Sequence, residues 1–302
     1  MPELPEVETV RRMLESTVRG RVIDRVRLSG LRLRAPVARS LPGRLAGRRL
    51  VAARRHGKYL LLELDGGVTL LSHLGMSGRW LFHARAPLAD LPHVHARFRF
   101  TDGSELWFQD ARRFGLLRLL ATARLSSDPG LAGLGPDPVA EPPTGSALRS
   151  MARGARVSAK GFLMDQRRLA GIGNIYASEI LHRAGVHPRA RADRIPAARW
   201  EAIARETGAV LGEAIERCGT TFSMYRTLWN EPGAFGEQLR VYDRAGEPCR
   251  ACGTVIRRIV QGARSTFFCP GCQAARKPGA ASGTGRKAGN GRAGSGRNPG
   301  RG

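Results

Sequence analysis

The arrangement of its cysteines constrains the fold of this 302-residue chain more than any other feature. Four of the five cysteines form two Cys-x2-Cys pairs, Cys249/Cys252 and Cys269/Cys272, with 16 residues between the pairs. Two such turns can close four thiolates tetrahedrally around zinc, whereas the alternative, a pair of disulfides, seldom persists in a reducing cytosol. We therefore expect these cysteines to hold one structural zinc ion in a zinc ribbon, with Arg264 near the tip of its β-hairpin.

The charge of the chain indicates a polyanionic partner. Fifty lysines and arginines stand against 25 acidic residues, which leaves a net charge of +25. A protein this basic is attracted to nucleic acid, the commonest polyanion in a cell. No apolar run approaches the ~20 residues of a membrane span, and the N-terminus lacks the apolar region of a signal peptide. The composition therefore predicts a cytoplasmic, nucleoid-associated protein and argues against secretion or membrane insertion.

Hydrophobic patterning changes along the chain. Apolar residues at helical spacing predict a helix from about Pro5 to Val18. Short β-rich runs with Gly or Asp-Gly turns then indicate an antiparallel sandwich or barrel, and helical patterns return near 163–184 and 197–217. The predicted strands are residues 58–64, 68–74, 95–100, 104–109 and 115–120.

Composition also sets the predicted domain limits. The stretch from Ser126 to Ser146 is rich in proline and glycine, a composition that is typical of an interdomain linker. The last 27 residues carry seven basic and no acidic side chains and no apolar residue larger than Ala or Pro, so we expect disorder there. The predicted parts are an N-terminal β-rich domain (1–127), a linker (128–145), a helical domain (146–236), a zinc ribbon (237–275) and a disordered basic tail (276–302).

Proline at position 2 gives the chain an unusual N-terminus. A small second residue normally allows removal of the initiator Met, which would leave Pro2 with a free secondary amine. Such an amine is a nucleophile that forms a cationic iminium with an aldehyde-level carbon, and Glu3 and Glu6 lie beside it for proton transfer. Proline and glutamate are also common at helix starts, so this segment alone does not distinguish chemistry from helix initiation.

Six separate segments together resemble the bacterial formamidopyrimidine-DNA glycosylase (Fpg) family, over about residues 2–273. They match in the family's order, and no single segment carries the resemblance. The resemblance implies a multidomain α+β fold: an N-terminal antiparallel β-sandwich with a leading helix, a helix–two-turn–helix domain and a C-terminal zinc ribbon. The segments are PELPEVETVRR at the N-terminus, RRHGKYLLLEL (54–64), SHLGMSGR (72–79), QDARRFG (109–115), LMDQRRLAGIGNIYASEIL (163–181) and GARSTFFCPGCQ (262–273).

The function implied by this resemblance is base-excision repair by a monomer bound to double-stranded DNA. Such an enzyme removes oxidised purines (8-oxoguanine, formamidopyrimidines) and then cuts the abasic strand by β,δ-elimination. Because a base inside a duplex cannot be attacked at its sugar, the damaged nucleotide must be flipped out. The family pattern assigns the attack on C1′ to Pro2, acid–base catalysis to Glu3, proton transfer in β-elimination to Lys58, and the grip on the lesion phosphate to Arg264.

The resemblance also implies a set of DNA contacts. Met76, Arg112 and Phe114 match the family's residues that fill the gap left by the flipped base, and Arg112 would face the orphaned partner base. Without the resemblance, Met76 and Phe114 could equally be core residues. Asn174 could in addition cap the helix that follows the glycines of GIGN. Further implied DNA contacts are His93, Asn174 and Lys160, although His93 could also be a plain surface residue. The charge of Arg156, shortly before Lys160, predicts that it either binds phosphate or lies on a solvated basic face.

Two departures from the family pattern concern specificity. Ala111 replaces a proline that family members usually carry, at a position not expected to face DNA. Residues 220–236 correspond to the loop that covers the everted base, which is normally polar. Here the loop is apolar and aromatic and could either stack on a flipped base or pack down shut; its apolar residues are Phe222, Met224, Tyr225 and Trp229.

Three alternative functions remain open on the sequence. The first is the sister branch of glycosylases that removes oxidised pyrimidines, whose members usually begin Pro-Glu-Gly-Pro-Glu, so Leu4 favours the purine branch. The second is a catalytically silent zinc protein that binds DNA, which the presence of Pro2, Glu3 and Lys58 disfavours. The third is a basic protein that binds RNA or ribosomes, in which the Pro2 amine and the gap-filling residues would have no role.

Overall fold

Two four-stranded antiparallel sheets form the first half of the molecule. The computed structural model describes residues 1–221 and 225–274. One sheet has the strand order β1-β6-β7-β5 and the other β2-β3-β4-β8, so the predicted antiparallel β-sandwich is confirmed. The strands are β1 (Ile23–Leu28), β2 (Leu50–His56), β3 (Tyr59–Leu64), β4 (Val68–His73), β5 (Gly78–His83), β6 (Val94–Phe100), β7 (Glu105–Asp110) and β8 (Leu116–Ala121).

The sandwich core is apolar and aromatic. Trp80 lies at its centre, with ring centroids 5.5 Å from Phe98 and 5.0 Å from Phe108. Every residue of the central strand β4 is buried, because the strand packs on both faces. The short helix α2 (Leu41–Leu45) adds Leu41 and Leu45 to the same core.

The first helix, α1 (Leu4–Val18), was predicted from its apolar spacing, and it packs against both larger domains. Val7, Val10 and Leu14 pack into the sandwich core, whereas Leu4 packs into the core of the helical domain. Because one helix contributes to two cores, the residues at its N-terminus lie at the junction of the domains.

The helical pattern near 163–184 is divided between two helices. Residues 165–173, which the pattern included, form turns, and the second helix begins after the glycines of GIGN, as the sequence predicted. Gly171 has a left-handed φ of +97°, and a Cβ there would lie 2.7 Å from Leu4. The Gln166 amide holds the turn by donating to the Met164 and Ile172 carbonyls at 2.9 and 2.8 Å. The helices are α3 (Gly145–Met151), α4 (Ala159–Met164), α5 (Asn174–Arg183) and α6 (Ala197–Glu216).

The segment predicted as a linker is fastened to the sandwich. Asp137 is buried and accepts a hydrogen bond from the Gly57 N–H at 2.8 Å. It also pairs with the buried guanidinium of Arg55, which donates to Glu8 on α1 at 2.9 Å. The proline-rich stretch therefore holds a fixed position against β2 and α1, while the domain limits given above stay predictions.

The zinc ribbon contains a two-stranded hairpin of β9 (Arg257–Gln261) and β10 (Arg264–Phe268). Its two-residue turn, Gly262-Ala263, has left-handed φ values of +54° and +60°, the type of turn that matches the twist of a hairpin. Arg264 is the first residue after the turn, so its predicted place near the tip is confirmed.

The described part of the 220–236 loop packs against the sandwich. Tyr225 and Leu228 are buried in the sandwich core, and the Phe82 N–H on β5 donates to the Leu228 carbonyl at 3.1 Å. The half-exposed ring of Trp229 meets Phe82 edge-on at 5.4 Å. Phe222 and Met224, like the predicted tail 276–302, lie outside the described residues.

Candidate active site and nucleic-acid interface

A cleft of about 880 Å³ lies where α1, the β2–β3 turn, the start of α5 and the zinc hairpin meet. Met1, Glu3, Lys58 and Arg264 line it, and Pro2 lies buried between the first two. The structure thus brings together the four residues predicted to be catalytic, although they come from three distant parts of the chain.

Glu3 caps the start of α5 from the other domain. Its buried carboxylate accepts hydrogen bonds from the N–H groups of Gly173, Ile175 and Tyr176 at 2.8, 3.0 and 3.4 Å. The unpaired N–H groups and the dipole of a helix N-terminus favour a negative charge at this place. A Cβ at position 173 would lie 2.3 Å from the Glu3 carboxylate, so this close approach requires glycine.

The capping role expected for Asn174 is therefore wrong. Asn174 is the first residue of α5, the N-cap position is Gly173, and the capping carboxylate comes from Glu3. The Asn174 amide instead donates to the Ser265 carbonyl on β10 at 3.0 Å. Asn174 therefore joins the start of α5 to the zinc hairpin.

Glu6 is a buried acid that the sequence indicated as a second group beside Pro2 for proton transfer. Its carboxylate accepts from the Glu3 N–H at 2.7 Å, the Thr220 N–H at 2.8 Å and the Tyr176 hydroxyl at 2.5 Å. Burial, and next the charge of Glu3, raise the pKa of Glu6 above its usual value. Glu6 thus binds α1 to both the helical domain and the base of the 220–236 loop.

Lys58 lies in the tight turn between β2 and β3. Gly57 before it has a φ of +56°, and a Cβ there would lie 3.0 Å from the Ala170 side chain, so the turn lies close against the helical domain. Burial lowers the pKa of Lys58, and the charge of Arg264 lowers it further, while Glu3 and Glu6 oppose the change. A lysine with a lowered pKa is more readily neutral and able to accept a proton.

Lys160 lies beneath the hairpin that carries Arg264. Its ammonium donates to the Ser265 carbonyl at 3.1 Å and to the Thr266 hydroxyl at 2.6 Å. Only 2% of the residue is exposed, and this burial is the main cause that lowers the pKa of Lys160 to about 8. In this structure Lys160 holds the hairpin instead of facing the open cleft.

The three residues predicted to fill the gap in the DNA stack project from two adjoining turns. Met76 and Phe114 are 40% and 46% exposed, which excludes the alternative that they are core residues. The Arg112 guanidinium lies 4.8 Å from the centre of the Phe114 ring. Buried Asp110 joins the two turns, because its carboxylate accepts from the Ser77 hydroxyl and from the Arg112 N–H.

The other predicted DNA contacts lie on the surface away from the cleft lining. His93 is exposed and has a left-handed φ of +63°, and its carbonyl accepts from the Asp110 N–H at 2.9 Å. Arg156 is exposed in the turn before α4. Their contacts with DNA stay predictions.

The four ribbon cysteines are placed to hold one metal ion. All four Sγ atoms lie within 4.8 Å of one another, and none of these cysteines forms a disulfide. Three separations are 3.8 Å (Cys249–Cys272), 3.4 Å (Cys252–Cys269) and 3.4 Å (Cys252–Cys272). Tetrahedral zinc, with bonds of about 2.3 Å to sulfur, separates its sulfurs by about 3.8 Å. The residues fit the predicted structural zinc.

Comparison with known proteins agrees with this architecture over most of the chain. Three family models match: the formamidopyrimidine-DNA glycosylase N-terminal domain (1–117), the formamidopyrimidine-DNA glycosylase H2TH domain (134–226) and the zinc finger found in FPG and IleRS (246–275). Formamidopyrimidine-DNA glycosylases of Methylococcus capsulatus and Bordetella pertussis are 45% and 44% identical over 274 and 278 residues. These alignments cover 90% of this chain and 100% and 99% of the two relatives.

The chain belongs to the formamidopyrimidine-DNA glycosylase family.

Solved structures of the Fpg family share this architecture. A Lactococcus lactis Fpg mutant in complex with a Fapy-dG containing DNA has a TM-score of 0.84 and 30% identity, covering 91% of this chain and 100% of that chain. The complex of Lactococcus lactis Fpg with an abasic site containing DNA has a TM-score of 0.83 and 30% identity, covering 90% and 100%. Among the described residues of this Fpg-family chain, no helix is both long and apolar enough to span a membrane.

Several residues that organise this Fpg-family site had no local signal in the sequence. Asp110 and Asp137 looked like ordinary polar residues, yet both are buried and hold turns that carry predicted site residues. Glu179 is a third case, since its buried carboxylate accepts from three successive N–H groups, at residues 240–242.

Proposed function

We propose that this Fpg-family member excises oxidised purines from duplex DNA through an iminium on Pro2 and then cleaves the strand by β,δ-elimination. The observation that carries the proposal is the convergence of Pro2, Glu3, Lys58 and Arg264 at one cleft. A nucleophile, an acid–base group and two basic groups around one cavity are what this chemistry requires.

The first step is nucleophilic displacement of the damaged base. Once Met1 is removed, the Pro2 nitrogen attacks C1′ and the base leaves with the bonding electron pair. Glu3 exchanges a proton with the sugar as its ring opens, which leaves a cationic iminium between Pro2 and C1′. The capping bonds from α5 hold the Glu3 carboxylate next to the reacting amine.

Strand cleavage then uses the two basic residues. The iminium draws electrons from the adjacent carbon, and Lys58 assists transfer of the C2′ proton as the 3′ phosphate leaves. Arg264 binds the lesion phosphate and supports departure of the 5′ phosphate in δ-elimination. The lowered pKa of Lys58 supports its role as a base.

DNA binding is supported by charge and by the exposed wedge. Met76, Arg112 and Phe114 would enter the stack in place of the flipped nucleotide, and the excess of basic residues would bind phosphates. We propose that the chain acts as a monomer, with His93, Asn174 and Arg156 on the DNA backbone and Lys160 holding the hairpin beside it.

Oxidised pyrimidines are a second candidate substrate class. One specific observation favours them: Lactococcus lactis Fpg, of TM-score 0.83 to this chain, was solved in complex with an oxidised pyrimidine containing DNA. The apolar 220–236 loop, which departs from the family's polar pattern, adds a reason to test both classes.

The test is borohydride trapping of mature protein on three duplexes that carry 8-oxoguanine opposite C, dihydrothymine opposite A, or an abasic site. We expect a covalent adduct on the 8-oxoguanine duplex that disappears in Pro2→Gly or when Met1 is retained. An adduct with dihydrothymine alone would move the chain to pyrimidine repair. Tight binding without an adduct on any duplex would exclude the enzymatic mechanism.

A further inference from the structure

Helix α5 connects the candidate active site to the zinc site. Its first N–H groups bind the Glu3 carboxylate, and its last turn carries His182, whose buried imidazole lies against the ribbon. The Nε2 atom of His182 is 3.5 Å from the Sγ atom of Cys249, which is also buried. A ring nitrogen at this distance from sulfur is within hydrogen-bonding range.

The surroundings of the ring leave it one hydrogen-bonding partner. Within residues 1–221 and 225–274, the Nδ1 atom of His182 is buried and has no hydrogen-bond partner. The Sγ atom of Cys249 in turn has no hydrogen-bond partner outside the cysteine cluster other than His182 in this part of the chain. A proton on Nε2 gives the sulfur a donor and leaves only a lone pair unpaired on Nδ1. A proton on Nδ1 would instead leave a buried N–H without an acceptor.

We propose that His182 donates a hydrogen bond from Nε2 to the Cys249 thiolate and thereby holds zinc in the ribbon. A metal-bound thiolate keeps part of its negative charge, so a buried N–H donor stabilises it and orients it toward the ion. His182 is thus a positioning residue that acts through Cys249. The inference depends on the zinc site and not on the proposed glycosylase reaction.

Other contacts allow this hydrogen bond to be removed without undocking the ribbon. The Glu179 carboxylate still accepts from residues 240–242, and the Gln273 amide donates to the Val186 carbonyl at 2.8 Å. Lys160 still binds the hairpin. A change confined to the imidazole therefore isolates the N–H···S contact.

The experiment compares zinc transfer from full-length, zinc-loaded protein to a chromogenic chelator. His182→Phe keeps a ring of similar size and removes the donor, whereas His182→Gln retains an N–H near the Nε2 position. His187→Phe is the matched control. The His187 ring also packs against the ribbon, edge-on to Phe268 with the ring centroids 4.8 Å apart, but it makes no sulfur contact in the described chain. Loss of an outer-sphere donor lowers metal affinity about 10- to 100-fold.

We expect the zinc affinity of His182→Phe to fall by about 10- to 100-fold, and that of His182→Gln and His187→Phe to stay within about threefold of wild type. Unchanged affinity in His182→Phe, or an equal loss in His182→Gln, would overturn the proposal. A measurement on the unmutated chain guards against misfolded variants: ¹⁵N shifts of His182 should place the proton on Nε2, and a proton on Nδ1 would refute the donor role.

Discussion

At the scale of single residues, one carboxylate, that of Glu3, combines a structural contact with a proposed chemical role. It lines the cleft beside Pro2, and it also caps α5 across the domain junction. Any substitution of Glu3 therefore alters both the proposed acid–base group and the position of the helix.

Glu3→Gln should lose activity and stability together. The amide keeps the shape of the side chain but loses the charge that accepts three N–H groups, so we expect a loss of about 1–2 kcal/mol in the free energy of unfolding. The rate of excision should fall further than the loss of folded protein alone would cause. Urea denaturation and single-turnover excision measure the two effects. Thr144→Ala, which removes the cap of α3, is the control: it should lose about 1 kcal/mol and retain excision.

Lys58→Arg should change the pH dependence of strand cleavage. Because burial lowers the pKa of Lys58, its amine loses its proton at a lower pH than an ordinary lysine, and cleavage should rise with pH through that range. Arginine keeps the charge but cannot give up its proton, so the rising limb should disappear. The measurement is cleavage of a preformed abasic site against pH; a rising limb retained in the variant would contradict the role of Lys58 as a base.

His73 predicts a loss of stability in mild acid. Burial, with smaller contributions from Arg34 and Lys58, lowers the pKa of His73 from 6.5 to about 4. The unfolded chain therefore takes up a proton near pH 6.5 that the folded chain resists until about pH 4. The contribution of His73 to the free energy of unfolding is fully present above pH 6.5. It decreases as the pH drops toward 4, by about 3 kcal/mol at most.

His73→Asn tests this linkage. The Asn side chain can still accept the Gly75 N–H that His73 accepts at 2.9 Å, but it does not titrate. We expect the variant to lose less stability than wild type between pH 6.5 and 4, measured by urea unfolding at each pH. Parallel curves for the two proteins would show that another group causes the acid sensitivity.

At the scale of elements, the clamp on the β2–β3 turn explains how a proline-rich segment can position Lys58. Asp137 binds Gly57 directly and also holds Arg55, the residue two before it. The linker thus fixes one side of the turn, and Ala170 of the helical domain lies close to its other side. A buried carboxylate at this point controls the position of a site residue without touching the cleft.

Asp137→Asn should weaken this clamp. Removing one charge from a buried network leaves Arg55 with Glu8 alone, so we expect a loss of about 2–3 kcal/mol and slower strand cleavage. Asp24→Asn is the matched control, because the Asp24–Arg99 pair is exposed and 3.9 Å apart, and its loss should leave stability nearly unchanged. Equal effects of the two substitutions in urea unfolding would contradict the clamp.

The strands that the sequence pattern did not predict share a position in the sheets. β1, β2 and β5 are all edge strands, while the four central strands, β3, β4, β6 and β7, were all predicted. An edge strand is partly exposed and carries charged residues, such as Arg25 and Arg27 on β1 and Arg54 on β2. Its alternation is therefore weaker than that of a buried strand.

At the scale of the whole molecule, the basic charge is shared between residues 1–275 and the C-terminal segment 276–302. Removing the seven basic residues of 276–302 lowers the net charge from +25 to +18, so the remainder is still strongly basic. Each phosphate contact contributes about −0.9 to the slope of log K against log salt.

Deletion of residues 276–302 should flatten the salt dependence of DNA binding and leave excision of a tightly bound substrate nearly unchanged. Fewer neutralised phosphates release fewer counterions, so the slope becomes less negative. Fluorescence anisotropy across a salt series measures it. A chain of full length with its seven tail lysines and arginines changed to glutamine should behave like the deletion, and an unaltered slope in both would refute a DNA-binding role for the tail charges.

The sequence by itself determined the parts whose signals are local. The spacing of the four ribbon cysteines identified the zinc ligands, apolar periodicity located α1, α6 and the central strands, and the combined motifs pointed to the Fpg family. Each of these depends on residues close together in the chain, where periodicity and spacing follow directly from helix, strand and ligand geometry.

Only the tertiary structure decided how these parts meet. Glu3 caps a helix 170 residues away, Lys160 reaches the hairpin 105 residues on, and His182 meets a zinc ligand 67 residues on. The break at residues 165–173 and the docking of Leu228 likewise depend on what packs against them. Such contacts follow from the packing of whole domains, which brings distant residues together and leaves no periodic trace in the chain.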